Sequence, residues 1–178
     1  MKIIEVLYNV SVKKRTSYII IASIIIIGLV LDLVTKWLFA EYFANGANDI
    51  VVIPNFFRFT YLENTGAAYG IFGDSTVMLA IISVLFIVAF AIYDYFNHSN
   101  NIWYILGISM IVSGAIGNFV DRIFLGYVRD FISMSIFNFV FNVADVLITF
   151  GVIFFVVYLI ISLVKERKGK VNGVEDKK

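Results

Sequence analysis

The chain has 178 residues, of which 61% are hydrophobic and 15% charged, with a formal net charge of +1. Ordinary globular proteins carry roughly 45–50% apolar and about 25% charged residues, so a soluble fold of this size could not hide its apolar surface, and the near-neutral charge gives nucleic acid nothing to bind. There is no cysteine and a single histidine, His98, which excludes disulfides, a thiol nucleophile, thiolate metal sites and multi-histidine metal sites.

Four segments meet the length of about 20 mostly apolar residues that a bilayer-crossing helix requires. The first runs from about Ser17 to Phe39 and carries Asp32 and Lys36 near its far end. A basic flank, Lys13-Lys14-Arg15, precedes it as in a signal peptide. Its apolar run is longer than the usual 7–15 residues and no small-residue cleavage site follows, so a retained helix is expected. Between this span and the next lies VVIPNFFRFTYLEN, residues 51–64, where Phe57, Phe59 and Tyr61 alternate with Arg58, Thr60 and Leu62. A period of two in β-branched and aromatic residues predicts one or two strands, with Pro54 at their start, where a missing N–H matters least.

The second span, Ser75 to Tyr93, is uncharged between Asp74 and Asp94. A short loop containing His98 follows, and His98 is expected to be solvated there. The third span, Ile102 to Val120, has no charge until Asp121. The fourth, about Val140 to Val164, is interrupted only by Asp145. Beyond it, KERKGKVNGVEDKK reads as a polar, disordered tail. The organisation is therefore one membrane domain, 1–164, and a cytoplasmic tail, 165–178, with spans at about 17–39, 75–93, 102–120 and 140–164.

Orientation follows from the basic residues. Lys2, Lys13, Lys14 and Arg15 precede span one, and Lys165, Arg167, Lys168, Lys170, Lys177 and Lys178 follow span four, ten of the fourteen Lys and Arg. The positive-inside bias predicts both termini on the cytoplasmic side, which leaves 40–74 and 121–139 outside.

The polar residues then share one depth. Asp145 precedes 19 uncharged residues, which places it about 28 Å from the inner boundary at ~1.5 Å per residue. Asp32 and Lys36 end an outward-going helix, Asn118, Asp121 and Arg122 end another, and Asn64 and Asp130 belong to outer segments. An acid inside the membrane costs roughly 2.5–3.5 kcal/mol on insertion scales, so such residues mark function by default. Each also has a plainer reading. Asp32 and Lys36, four apart, are equally a helical ion pair. Asn118, Asp121 and Arg122 share one helical face and equally end a helix at the headgroups. Asp145 equally caps the fourth helix, where the macrodipole favours an anion.

Four motifs in order bear on that choice: DLVTK (32–36), NTGAAYG (64–70), SGAIGNFVDR (113–122) with VRDF (128–131), and FNVAD (141–145). Over residues 17–164 the chain resembles the lipoprotein signal peptidases, bacterial signal peptidase II. The resemblance implies a membrane all-α core of four transmembrane helices with a small extracytoplasmic β-rich cradle. It implies an aspartyl endopeptidase of the bacterial cytoplasmic membrane, with no cofactor and no metal, acting on prolipoproteins whose cysteine carries diacylglycerol, among membrane lipids. By motif, the catalytic pair is Asp130 and Asp145, and the supporting residues are Asp32, Lys36, Asn64, Gly66, Asn118, Asp121, Arg122 and Asn142. Asp121 is expected to orient Arg122 or cap its helix, and the small Ala67 and Ala68 to let a substrate backbone approach. Leu33, Tyr69 and Ser113 depart from the residues common in the family at those positions.

The chemistry is also open to argument without the family. With no thiol and no metal cluster, carboxylates are the main acid–base resource, and two close carboxylates share a proton rather than both ionise. The alternative is a small proton- or ion-coupled transporter, which would favour acids at the midplane and corresponding broken helices in two halves.

Overall fold

A computed structural model of the chain describes residues 11–66 and 76–175. Its order is α1 (Lys14–Ala44), β1 (Ile50–Ile53), β2 (Phe57–Asn64), α2 (Thr76–Asn97), α3 (Ile102–Leu125), β3 (Val128–Met134), β4 (Val140–Phe141) and α4 (Val143–Glu175). All four helices are long and apolar enough to span a membrane. They expose Ile, Leu, Val and Phe over much of their length, the expected surface where lipid replaces water as solvent.

The bundle is organised around α3, which packs on α1, α2 and α4 and is the most buried of the helices. Helices in lipid gain little from hydrophobic burial and associate through close backbone approach at small residues. Gly114 of α3 lies so close to the Ala144 carbonyl of α4 that a Cβ would collide with it, and at Gly117 a Cβ would collide with the Asp32 carboxylate of α1. These two glycines let three helices converge near the sheet end of the bundle. Ser113 adds a direct tie by donating to the Ile25 carbonyl at 3.0 Å.

α3 continues past the expected span end at Val120 to Leu125. It stops at Gly126, whose φ of +82° places it in the left-handed region and whose N–H reaches the Arg122 carbonyl at 3.2 Å. That turn sends the chain back as β3. The sheet is antiparallel in the order β1-β2-β3-β4. Leu62 pairs with Asp130 and Glu63 with Arg129, and Ile132 pairs with Phe141. The alternation in 51–64 resolves into two strands, with Pro54 in the turn between them and Asn55 at a φ of +58°. Phe39 of α1 stacks on Phe131 at 4.4 Å and meets Phe59 at 4.7 Å, which fastens the sheet to one end of the bundle.

Three expectations are corrected. The fourth helix starts at Val143, not Val140, because Val140 and Phe141 are consumed in pairing with β3. The segment after Lys165 is not irregular: the α4 backbone stays helical to Glu175, extending a helix already nucleated in the span. His98 is not a solvated loop residue, since its side chain is 8% exposed. Its ring lies 2.8 Å from Asp94 and 2.9 Å from the Ser17 hydroxyl, and it stacks on Tyr18. Tyr104 donates to the same Asp94 oxygen at 2.7 Å. This cluster closes the end of the bundle opposite the sheet.

Candidate active site

The site is built upward from a buried ion pair. Asp32 and Lys36, one turn apart on α1, are both fully buried and 2.8 Å apart. Asp32 turns its other oxygen to the backbone N–H of Ala144 at 2.8 Å, satisfying one of the orphan donors at the start of α4. Lys36 donates to Asn118 Oδ1 at 2.9 Å and lies 3.7 Å from Asp121. The helical ion pair is therefore present and, beyond that, braces both α3 and α4.

From Asn118 the network reaches the acids. Its amide donates to Asp145 Oδ1 at 2.8 Å. Asn142 is the N-cap of α4. Its Oδ1 accepts the N–H of Asp145 at 3.0 Å, and its own N–H donates to Asp145 Oδ2 at 3.1 Å. This reciprocal arrangement is a capping box in which the third helical residue is an aspartate. The capping reading of Asp145 is thus correct and is also what holds its carboxylate in place. The Asn142 amide turns outward to Asp130 Oδ1 at 2.6 Å and to Asn118 Oδ1 at 3.2 Å. One side chain consequently touches both acids' environments.

Asp130 sits on β3 with 1% exposure. Its second oxygen accepts from Asn64 Nδ2 at 2.8 Å. Asn64 is held in that orientation because its own Oδ1 accepts the Gly66 N–H at 3.1 Å. Burial pushes the Asp130 carboxyl up to about 7, helped by the charge of Asp145 and opposed by the hydrogen bonds from Asn64 and Asn142 and by Lys36.

Asp130 and Asp145 line one cleft of about 310 Å³, together with Asn64, Gly66, Asn118 and Arg122. Val128, Phe139, Val140 and Ile148 form its apolar wall. One liquid water occupies about 30 Å³, so the cleft is far larger than a single water site. Beside it a second groove of about 360 Å³ runs between α2 and α4, floored by Ile111 and Ala115 of α3 and sharing Asn118, Arg122 and Ile148 with the cleft. Its apolar sides are Ile82, Phe86 and Phe90 against Ile148 and Val152. Phe90 and Tyr93 meet Phe155 farther along, at 5.8 and 5.6 Å, on the side away from the acids. Among the described residues no group of three or more His, Asp or Glu converges as a metal site.

Every predicted site residue among the described residues thus falls in one connected cluster, with one reassignment. Asp121 does not orient Arg122. It pairs with Arg129, whose Nη2 is 2.7 Å and Nε 3.2 Å from its two oxygens. Arg122 instead contacts the Asn118 carbonyl at 3.4 Å and lines the cleft. Arg129 stands next to Asp130 in VRDF but carries no motif spacing that marks it. Ala67, Ala68 and Tyr69 lie outside the described residues.

The family profile described as signal peptidase (SPase) II matches residues 24–161. The chain belongs to the signal peptidase II family. It is 42% identical over 159 residues to a lipoprotein signal peptidase of Clostridium tetani (strain Massachusetts / E88), covering 87% of this chain and 96% of that one. It is 37% identical over 152 residues to that of Enterococcus faecalis (strain ATCC 700802 / V583), covering 85% and 92%. A solved bacterial membrane enzyme, determined by the in meso method at 2.3 Å, superposes with a TM-score of 0.68 at 32% identity, over 90% of this chain and 94% of that one. As a member of the family the chain is a multi-pass membrane peptidase of aspartyl type, and the transporter alternative is not favoured.

Proposed function

We propose that the chain cleaves signal peptides from prolipoproteins bearing a diacylglyceryl cysteine, with Asp130 and Asp145 activating a water. The observation that carries this is the shared cleft. Two carboxylates open onto it, linked through Asn142, and one of them holds its proton to about 7. In this reading Asp145 is the base. It draws a proton from the water as the water attacks the scissile carbonyl. Asp130, protonated, donates to the carbonyl oxygen and later the pair returns a proton to the leaving amine. Asn118 and Asn142 keep Asp145 aimed, Asn64 and Asn142 keep Asp130 aimed, and Gly66 leaves room for an extended backbone. Arg122 faces the summed negative charge of the site.

The groove between α2 and α4 suits the acyl chains: it is apolar, open sideways to lipid and joined to the cleft at Arg122 and Asn118. The basic flanks at both ends of the chain support termini in the cytoplasm, with the cleft near the outer leaflet. The test replaces Asp130 and Asp145 by Asn, one at a time. Each variant is checked for insertion and assayed on a diacylated prolipoprotein in lipid vesicles. The expected loss in kcat is about 10³-fold or more for each; substantial cleavage by either variant refutes the assignment.

A further inference from the structure

We infer that Arg129 is a positioning residue for the acid pair, an inference that rests on Asp130 and Asp145 being the catalytic carboxylates. Asp121 is 1% exposed and receives three donors from Arg129: the backbone N–H at 3.0 Å, Nε at 3.2 Å and Nη2 at 2.7 Å. A guanidinium fork on a carboxylate fixes direction as well as distance. Here main chain and side chain of one residue are held by the same carboxylate. Successive side chains on a strand point to opposite faces. Pinning both the backbone and the guanidinium of residue 129 therefore sets the direction in which Asp130 leaves β3.

A second route leads to Asp145. Lys36 stands 2.8 Å from Asp32, 2.9 Å from Asn118 Oδ1 and 3.7 Å from Asp121. With Arg129 satisfying Asp121, Lys36 is left to Asp32 and Asn118. Without Arg129, Asp121 is a buried carboxylate whose nearest remaining cation is Lys36, and the attraction draws Lys36 off Asn118. Asn118 is the residue that holds Asp145 Oδ1. Loss of one fork on the rim thus disturbs both acids: Asp130 through the strand, Asp145 through Lys36 and Asn118. Substrate-binding groups are untouched, because Arg129 does not line the cleft or the groove.

The test uses the full chain in lipid vesicles with a diacylated prolipoprotein peptide. It compares Arg129→Lys, Arg129→Gln, Asp121→Asn and the Arg129→Gln/Asp121→Asn double variant. Arg129→Lys keeps the charge but not the fork, and it keeps the inference testable if Arg129→Gln fails to insert. The expectation is a kcat loss of about 10- to 100-fold in both Arg129 variants, with KM within about threefold of wild type. The double variant is expected to lose no more than the worse single one. The inference is overturned if Arg129→Lys keeps kcat within about threefold of wild type, if KM rises as much as kcat falls, or if the two single losses multiply in the double variant. Asp130→Asn and Asp145→Asn are run alongside. If they cleave normally, the acid-pair reading is wrong; if they are inactive while Arg129→Lys is normal, only the positioning inference fails.

Discussion

Replacing Asn64 by Ala removes a donor that stabilises the charged form of Asp130, and the consequence has a definite sign. Asn64 Nδ2 lies 2.8 Å from Asp130 Oδ2, and Asp130 holds its proton up to about 7 because burial and the Asp145 charge outweigh Asn64, Asn142 and Lys36. If cleavage needs that proton, the wild-type rate falls about tenfold per pH unit above about 7. A hydrogen bond to a charged group is worth about 1.5–3 kcal/mol, and one pH unit corresponds to about 1.4 kcal/mol. Asn64 is only half-buried, so the lower end applies. Taking the donor away makes the carboxylate less favourable, so the proton stays on longer. The alkaline limb of kcat/KM should move up by about one pH unit. The assay is cleavage of a diacylated fluorogenic peptide in lipid vesicles from about pH 5 to 9. A limb that stays in place, or moves to lower pH, refutes Asp130 as the proton-holding member of the pair.

Three further outcomes follow from the packing. Lys36→Met leaves the Asp32 and Asp121 carboxylates without their shared lysine, and loss of one partner from a buried pair costs about 3–5 kcal/mol, read as a large drop in melting temperature with loss of activity. Gly117→Ala drives a methyl into the Asp32 carboxylate. Overpacking of that kind costs about 1–3 kcal/mol, and because Asp32 caps α4 at Ala144, kcat should fall along with stability. Tyr104→Phe, at the end of the bundle opposite the sheet, deletes the 2.7 Å hydrogen bond to Asp94. It should lower stability by about 1–2 kcal/mol while kcat and KM stay at wild-type values, which separates the two ends of the bundle by experiment.

The sequence was most informative where a residue's job depends on depth along a helix. Runs of apolar residues give the spans, and a rise of ~1.5 Å per residue places Asp145 along its helix, so the gathering of polar residues at one end of the bundle could be read from spacing. It was least informative where partners depend on how the chain turns. Asp121 seemed tied to Arg122 by adjacency, but neighbours at i and i+1 on a helix do not face each other. The left-handed turn at Gly126 brings residue 129 back to it instead. Likewise, the loop sequence around His98 looks solvated because its cover comes from Ser17 and Tyr18, at the far end of another helix. Asn142 was assigned a supporting place by its motif. That it caps α4 and bridges to Asp130 became visible only once Phe141 was paired with Ile132.

The Asp32–Lys36 pair also bears on how the protein is made. α1 leaves the ribosome before α4, and the backbone N–H that Asp32 will eventually receive lies 112 residues farther along the chain. Because acid and base sit one turn apart on the same helix, the stretch of α1 between Arg15 and Glu41 carries no net charge and can wait in lipid for translation to finish. Its counter-ion travels with it, and later helices need only dock onto a pair already formed.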